Sequence, residues 1–203
     1  MKSSYLRAGL ALLCAVILSA CGGNSGNLQL SGTIAYSGVA KPGLVLINKS
    51  NGDKLTIETG ATGFAFGKLL GSDEAFDVEI DTQPTGAKCE VSNNINKANV
   101  YTVYYVAVKC AANPYVLGGT VKGLSGSGLV LANGADLVSV QPPATAGADV
   151  SFTFPTQVSD GSPYGATVLT QPAGQTCKFA ATLNPGTMPG SDQKGLIVNC
   201  ANN

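Results

Sequence analysis

Hydrophobic residues along this chain come in short alternating bursts between turn formers, after one unbroken apolar run near the start. That run covers Ala8 to Ile17, about half of the roughly 20 residues that a membrane-spanning helix needs. Beyond it the bursts have period two, which predicts strands with one buried face. They read Leu30-Ser31-Gly32-Thr33-Ile34, Leu44-Val45-Leu46, Phe64-Ala65-Phe66 and Phe76-Asp77-Val78-Glu79-Ile80, with a final strand ending at Cys110. No sustained run after Cys21 places apolar residues at i, i+3, i+4 and i+7, so no amphipathic helix is expected.

The bursts occur twice. Leu30 to Ile34 matches Leu117 to Val121, Leu44 to Leu46 matches Leu129 to Leu131, and Phe64 and Phe66 match Phe152 and Phe154. Thr82-Gln83-Pro84-Thr85-Gly86 matches Thr170-Gln171-Pro172-Ala173-Gly174, after which Cys89 falls on Cys177 and Cys110 on Cys200. The offset drifts only from 85 to 90 residues, so the chain is a duplication with small changes in loop length. About seven short strands in each copy predict an all-β protein of two tandem β-sandwiches. The expected domains are 28–112 and 113–203.

Cysteine usage supports that division. Of the six cysteines, Cys14 lies in the apolar run and Cys21 just after it, leaving Cys89, Cys110, Cys177 and Cys200. An even set in an exported chain implies disulfides. A repeated unit should close its own bridge, which predicts Cys89–Cys110 and Cys177–Cys200. Zinc ligation is disfavoured because no Cys-x₂₋₄-Cys pair is present.

The start of the chain says where it goes. Lys2 and Arg7 precede the apolar run, and Leu18-Ser19-Ala20-Cys21 follows it. This arrangement resembles the signal of bacterial lipoproteins, whose lipobox it matches at all four positions. The resemblance implies that residues 1–20 are a signal peptide cut before Cys21, with diacylglycerol on the cysteine sulfur and a fatty acyl group on its amino terminus. Each buried acyl CH₂ contributes about 0.8 kcal/mol, and two chains hold stably where one is marginal. Gly22 occupies the place of the aspartate that retains lipoproteins at the inner membrane of enteric bacteria, so the expected location is the cell envelope at the outer membrane. Residues 21–27, with Gly22, Gly23 and Gly26, read as a lipidated flexible tether.

The order of the strands carries a second likeness. A Gly-Thr strand, a Gly-Leu-Val-Leu strand, a Phe-x-Phe strand and a Phe/Tyr-x-Val/Ala strand resemble the transthyretin-like, carboxypeptidase-regulatory-like type of immunoglobulin-like β-sandwich. The Gln-Pro-x-Gly-x-x-Cys stretch with its later cysteine is similar to repeats of uncharacterised proteobacterial lipoproteins. What this implies is fold and location; it brings no catalytic residues.

Composition narrows the chemistry. Removing residues 1–20 takes away Lys2 and Arg7, leaving ten basic and twelve acidic residues and no Arg, His or Trp. Without histidine there is no Ser-His-Asp triad and no imidazole base. Without arginine there is no bidentate phosphate fork, and a slightly acidic surface repels nucleic acid. No cofactor is expected. The densest carboxylates are Asp73, Glu74 and Asp77, yet glycoside hydrolysis needs its pair in a cleft with aromatic subsites. The chain is therefore expected not to be an enzyme.

Comparing the copies isolates what the fold does not require. Asp77, Glu79 and Asp81 alternate with Phe76, Val78 and Ile80 and should share one outer face, a weak candidate cation site that lacks the compact Asp-x-Asp-x-Asp-Gly loop. Lysines of the same domain, Lys88 and Lys109 among them, offer a simpler partner set. Counting back from Cys110 by twos places Val108, Val106, Tyr104 and Thr102 inward, with Val103, Tyr101 and Tyr105 outward. Tyr101 and Tyr105 form a candidate binding face, because a tyrosine offers a flat apolar ring with a hydroxyl. The extended loops Gln141 to Gly147 and Asn184 to Gly190 are further recognition candidates. The function expected from all this is a lipid-anchored, non-catalytic binding module for a protein or glycan partner. Its alternative is a passive spacer of the outer membrane without a ligand site.

Overall fold

The computed structural model describes residues 26–203; the expected signal peptide, residues 1–20, and Cys21 lie outside the described residues. The first half contains β1 (Leu28–Ser37), β2 (Val45–Asn48), β3 (Asp53–Thr56), β4 (Gly63–Leu70), β5 (Ala75–Thr82), β6 (Ala87–Ser92), β7 (Ile95–Lys97) and β8 (Val106–Ala112). A single-turn 3₁₀ helix, Thr102–Tyr104, sits just before β8. One sheet runs β4-β1-β8-β6 and the other β3-β2-β5-β7. The second half contains β9 (Pro114–Tyr115), β10 (Leu117–Lys122), β11 (Leu129–Asn133), β12 (Asp136–Val140), β13 (Val150–Thr153), β14 (Val158–Ser159), β15 (Pro163–Tyr164), β16 (Ala166–Thr170), β17 (Gln175–Phe179), β18 (Gly186–Thr187) and β19 (Gln193–Asn202). Its sheets run β13-β10-β19-β17 and β12-β11-β16, with small ladders β14-β9 and β15-β18.

The chain thus folds as two tandem immunoglobulin-like β-sandwiches, each with an internal disulfide. In both, the first long strand is antiparallel to one neighbour and parallel to the last strand: Gly32 faces Val106 and Thr120 faces Ile197. This arrangement demands close approach. A Cβ on Gly32 would come within 2.6 Å of the Phe64 ring, and one on Gly119 within 2.7 Å of the Leu196 Cβ. Only glycine lets that strand sit against its neighbours, which is why Gly-Thr opens both copies.

Alternation decides the interiors. Leu30, Leu46, Phe66, Phe76, Val78 and Val108 fill one core, and Leu117, Leu129, Leu131, Phe154, Leu196 and Val198 fill the other. The Phe-x-Phe pair meets edge to face in each, with ring centres 5.9 Å apart for Phe64–Phe66 and 5.8 Å for Phe152–Phe154. That geometry adds about 0.5–1.5 kcal/mol beyond area burial.

Cys89 lies opposite Cys110 on β6 and β8, and Cys177 opposite Cys200 on β17 and β19. Both pairs are bridged, closing separations of 21 and 23 residues. The glutamine of each Gln-Pro-x-Gly-x-x-Cys stretch holds the first half-cystine. Gln83 accepts the Cys89 N–H at 2.8 Å and donates to its carbonyl at 3.0 Å; Gln171 does the same for Cys177 at 2.7 and 3.1 Å. The side-chain amide imitates a strand and supplies backbone partners where the chain turns.

Two details differ from the pattern-based expectation. The strand before Cys110 does not extend back to Tyr101, because the 3₁₀ turn interrupts it. The segment Asn184 to Gly190 is not a free loop: Gly186–Thr187 pairs with Pro163–Tyr164, Asn184 exchanges two hydrogen bonds with Ala166, and Met188 is buried. β8 ends at Ala112 and β9 begins at Pro114, so Asn113 alone separates the halves.

A non-reducing peptide map should join Cys89 to Cys110 and Cys177 to Cys200. Replacing Cys177 and Cys200 together by serine should lower the unfolding free energy by about 3 kcal/mol, the chain-entropy value for loops of this size. A map linking Cys89 to Cys177 would contradict this arrangement.

Candidate functional site

The acidic strand resolves into ion pairs. β5 pairs antiparallel with β2, and the register slips so that Asp81 has no opposite residue. Glu79 meets Lys49 at 2.6 Å and Asp81 meets Lys54 at 2.8 Å. The hydrogen bond from Lys49 to Glu79 holds the ammonium above the ordinary lysine range. Asp77 receives no lysine; its backbone N–H donates to Asn48 Oδ1 at 3.1 Å, while one carboxylate oxygen is buried without a partner. Lys88 pairs with Glu90 instead, and Lys109 is exposed on another strand. Among the described residues no three acidic, cysteine or histidine side chains converge as a metal would require. Glu79 and Asp81 are thus neutralised by a lysine just after adjacent β2 and one on β3, as exposed cross-strand charges usually are. Asp73 and Glu74 are also taken: Asp73 turns the chain at φ 60°, and Glu74 accepts the Gly71 N–H at 2.7 Å. Titration calorimetry with millimolar Ca²⁺ should show no binding heat and no rise in Tm. A stoichiometric heat removed by Asp77→Asn would reinstate the strand as a cation site.

The tyrosines occupy a tightly built turn. Asn99 Oδ1 accepts the N–H groups of Tyr101 and Thr102 at 2.9 and 3.0 Å, and the Thr102 hydroxyl donates to the Lys97 carbonyl at 2.6 Å. Ala98 and Val103 plug the core, both fully buried. A 3₁₀ turn repeats every three residues, so the period-two count fails here. Val103 goes inward and Tyr104 outward, the reverse of the strand-based expectation. Tyr101, Tyr104 and Tyr105 stand 72%, 63% and 62% exposed beside exposed Val100. The sequence reading recovered two members of this aromatic cluster and missed the third. The signal lay in Asn99 and Thr102, which favour local turns over strands.

A second feature was not foreseen. Lys41 and Asp160, from different halves, meet at 2.7 Å with side chains only 15% and 12% exposed. Asn113 lies between the halves; its N–H donates to the Gly86 carbonyl at 2.9 Å and its carbonyl accepts the Asp160 N–H at 2.8 Å. Gly86, at φ +80°, packs directly against the Asp160 carboxylate, where a Cβ would collide. Then β9 pairs with β14, and Asp192 accepts the Val116 N–H at 2.9 Å. Asp192 titrates below the ordinary carboxylate range, held down by Lys194 and by that N–H. The matched positions in the other copy are Gly126 for Lys41 and Ser72 for Asp160, so each charge belongs to the junction and not to the repeat.

No protein-family model matches the chain. No curated protein matches it in sequence. Solved structures give a distant likeness. The major pilin protein T-13 of Streptococcus pyogenes aligns at 10% identity and a TM-score of 0.31, over 88% of this chain and 98% of that one. The pilus adhesin SpaC of Lactobacillus rhamnosus GG aligns at 10% identity and a TM-score of 0.39, over 85% of this chain and 31% of that one. Overlap at this level transfers no activity or partner. Among the described residues no helix is long and apolar enough to cross a membrane.

Lys41→Ala strands a nearly dry Asp160 carboxylate. It should cost about 2–3 kcal/mol, below the range for fully buried pairs because some water remains. Calorimetry should then split one unfolding transition into two, and Gly86→Ala should do the same. Pairing Lys41→Met with Asp160→Leu should recover most of the loss, since an apolar pair leaves no charge unmatched. A Lys41→Ala melt identical to that of the parent protein would remove the ion pair from the stability of the junction.

Proposed function

We propose that this chain is a lipid-anchored lipoprotein of the cell envelope, held at the outer membrane through Cys21. It acts without turnover as a binding module for a protein or glycan partner. The observation that carries this reading is the locked junction. Short linkers restrict motion, but a buried ion pair and a bridging Asn113 tie two sandwiches into one body with distinguishable ends.

The register gives those ends. β1 enters from the tether, β8 runs parallel to it and leaves toward the junction, and β10 and β19 repeat this sense in the second half. A ten-residue strand such as β1 spans about 33 Å. The far end of the second sandwich therefore stands two strand lengths from the lipid, and the exposed loop Gln141 to Gly147 lies there, between β12 and β13. Loops at the tip of a rigid sandwich are where binding residues collect. Tyr101 and Tyr105 lie at the opposite end, so a partner reaching them would approach at the lipid surface. The passive-spacer alternative needs the same rigid body but no contact at the tip.

Mass spectrometry of the processed N-terminal peptide should find Cys21 carrying diacylglycerol and an amide-linked acyl chain; a free thiol there would end the anchored reading. A photo-crosslinking residue in place of Thr145 should give a discrete heavier adduct in cells. A uniform absence of adducts would favour the spacer.

A further inference from the structure

We propose that the tyrosine turn of the first sandwich is a seat on the bilayer itself, so that the protein stands end-on at the lipid surface; this rests on the anchored reading of Cys21. The turn and the tether share one end of the fold. Gly26 lies against Leu70 and Gly71, and Leu28 faces Leu70 across the β1–β4 ladder. Next to them, the Asp73 N–H donates to the Ala98 carbonyl and the Ala98 N–H to the Glu74 carbonyl, each at 2.8 Å. Ala98 opens the turn that carries Val100, Tyr101, Tyr104 and Tyr105.

Chain length then limits where lipid can be. Four residues lie between Cys21 and Gly26, and a fully extended chain covers at most about 18 Å over those five steps. A cysteine with fatty chains in the bilayer therefore holds this end of the sandwich at the headgroups. The surface so held is an apolar ring cluster with hydroxyl tips, the composition that tyrosine-rich belts present to membrane interfaces. Charges nearby are of both signs, Asp73 and Glu74 with Lys97, so the cluster suits a neutral zwitterionic surface.

The second copy gives an independent comparison. Its matching segment, 90 residues on, is Gly190-Ser191-Asp192-Gln193-Lys194-Gly195, in which Ser191, Lys194 and Gly195 stand for the three tyrosines. There Asp192 holds Val116 between β9 and β10, and neighbouring Gly190 approaches Asp160. The corresponding end of the second sandwich docks on the first. Among the described residues the first has no such neighbour at its own end, and aromatic rings stand exposed there instead.

The mature chain has no tryptophan, so a single introduced indole is an unambiguous reporter. The full chain, exported and processed, would carry Tyr101→Trp, Tyr105→Trp or, in the second sandwich, Leu137→Trp at an exposed β12 position. Each variant is reconstituted into phosphatidylcholine vesicles with brominated acyl chains, and its N-terminal peptide is weighed in parallel. Emission at 101 and 105 should fall roughly twofold, as for interfacial aromatics, while that at 137 stays unchanged. An acylated protein that floats with the vesicles yet shows unquenched emission at 101 and 105 overturns the seat and leaves the anchor standing. Equal quenching at 137 overturns the end-on stance. Unmodified Cys21 overturns the anchor, and the seat with it.

Discussion

Lys41 and Asp160 meet across the junction with almost no water, and the polarity of the whole molecule follows from that contact. Two charges taken from water lose hydration worth several kcal/mol each, so such a pair is weak as a source of net stability. Its effect is directional. Any rotation of one sandwich against the other leaves two nearly buried charges unmatched, and this penalty is steep where an apolar interface would slide. Gly86 makes the fit tighter, since the carboxylate rests where any other residue would place a Cβ. The short linker limits the separation of the halves; the ion pair selects their orientation.

Within each half the corresponding constraint is the parallel pairing of first and last strands. Antiparallel neighbours need only a turn, whereas parallel ones must be brought together by the whole intervening chain. Gly32 and Gly119 allow the backbone approach, and the disulfides fix the last strand to its other neighbour. Cores of this size are marginal, which explains why the bridge and its glutamine bracket recur in both copies while the loops around them vary.

Most of the architecture was legible because period-two alternation and duplication reinforce one another. Leu30 with Leu117, Phe66 with Phe154 and Val108 with Val198 are inward in both halves, as the pattern requires. Pattern failed where local hydrogen bonding displaced it. Asn99 and Thr102 wound the chain into a 3₁₀ turn and exchanged the sides of Val103 and Tyr104. Lysines of the first domain do neutralise Glu79 and Asp81, but they are Lys49 and Lys54 and not Lys88 or Lys109, because pairing depends on strand order, and β2–β3 next to β5 cannot be read from spacing. The Lys41–Asp160 contact was hidden by distance, with more than a hundred residues between its members. Its trace was nevertheless present, since both are charges where the other copy has glycine or serine.

Duplication also explains why the two ends of the molecule differ in chemistry. Copies stacked head to tail must bury one end of one copy against the opposite end of the other, and among the described residues no second sandwich covers the remaining ends. The junction recruited a lysine, an aspartate and Asp192, groups that suit a partly hydrated contact between proteins. At the other end of the first copy, beside Gly26, the matching turn carries three tyrosines and a valine supported by a hydrogen-bonded frame. A turn that only needed to close a β-sandwich would have no use for exposed rings, as the second copy shows with Ser191, Lys194 and Gly195. Rigid aromatic groups lose little conformational entropy when they meet a surface, and the surface that a lipid on Cys21 would bring within reach is the bilayer.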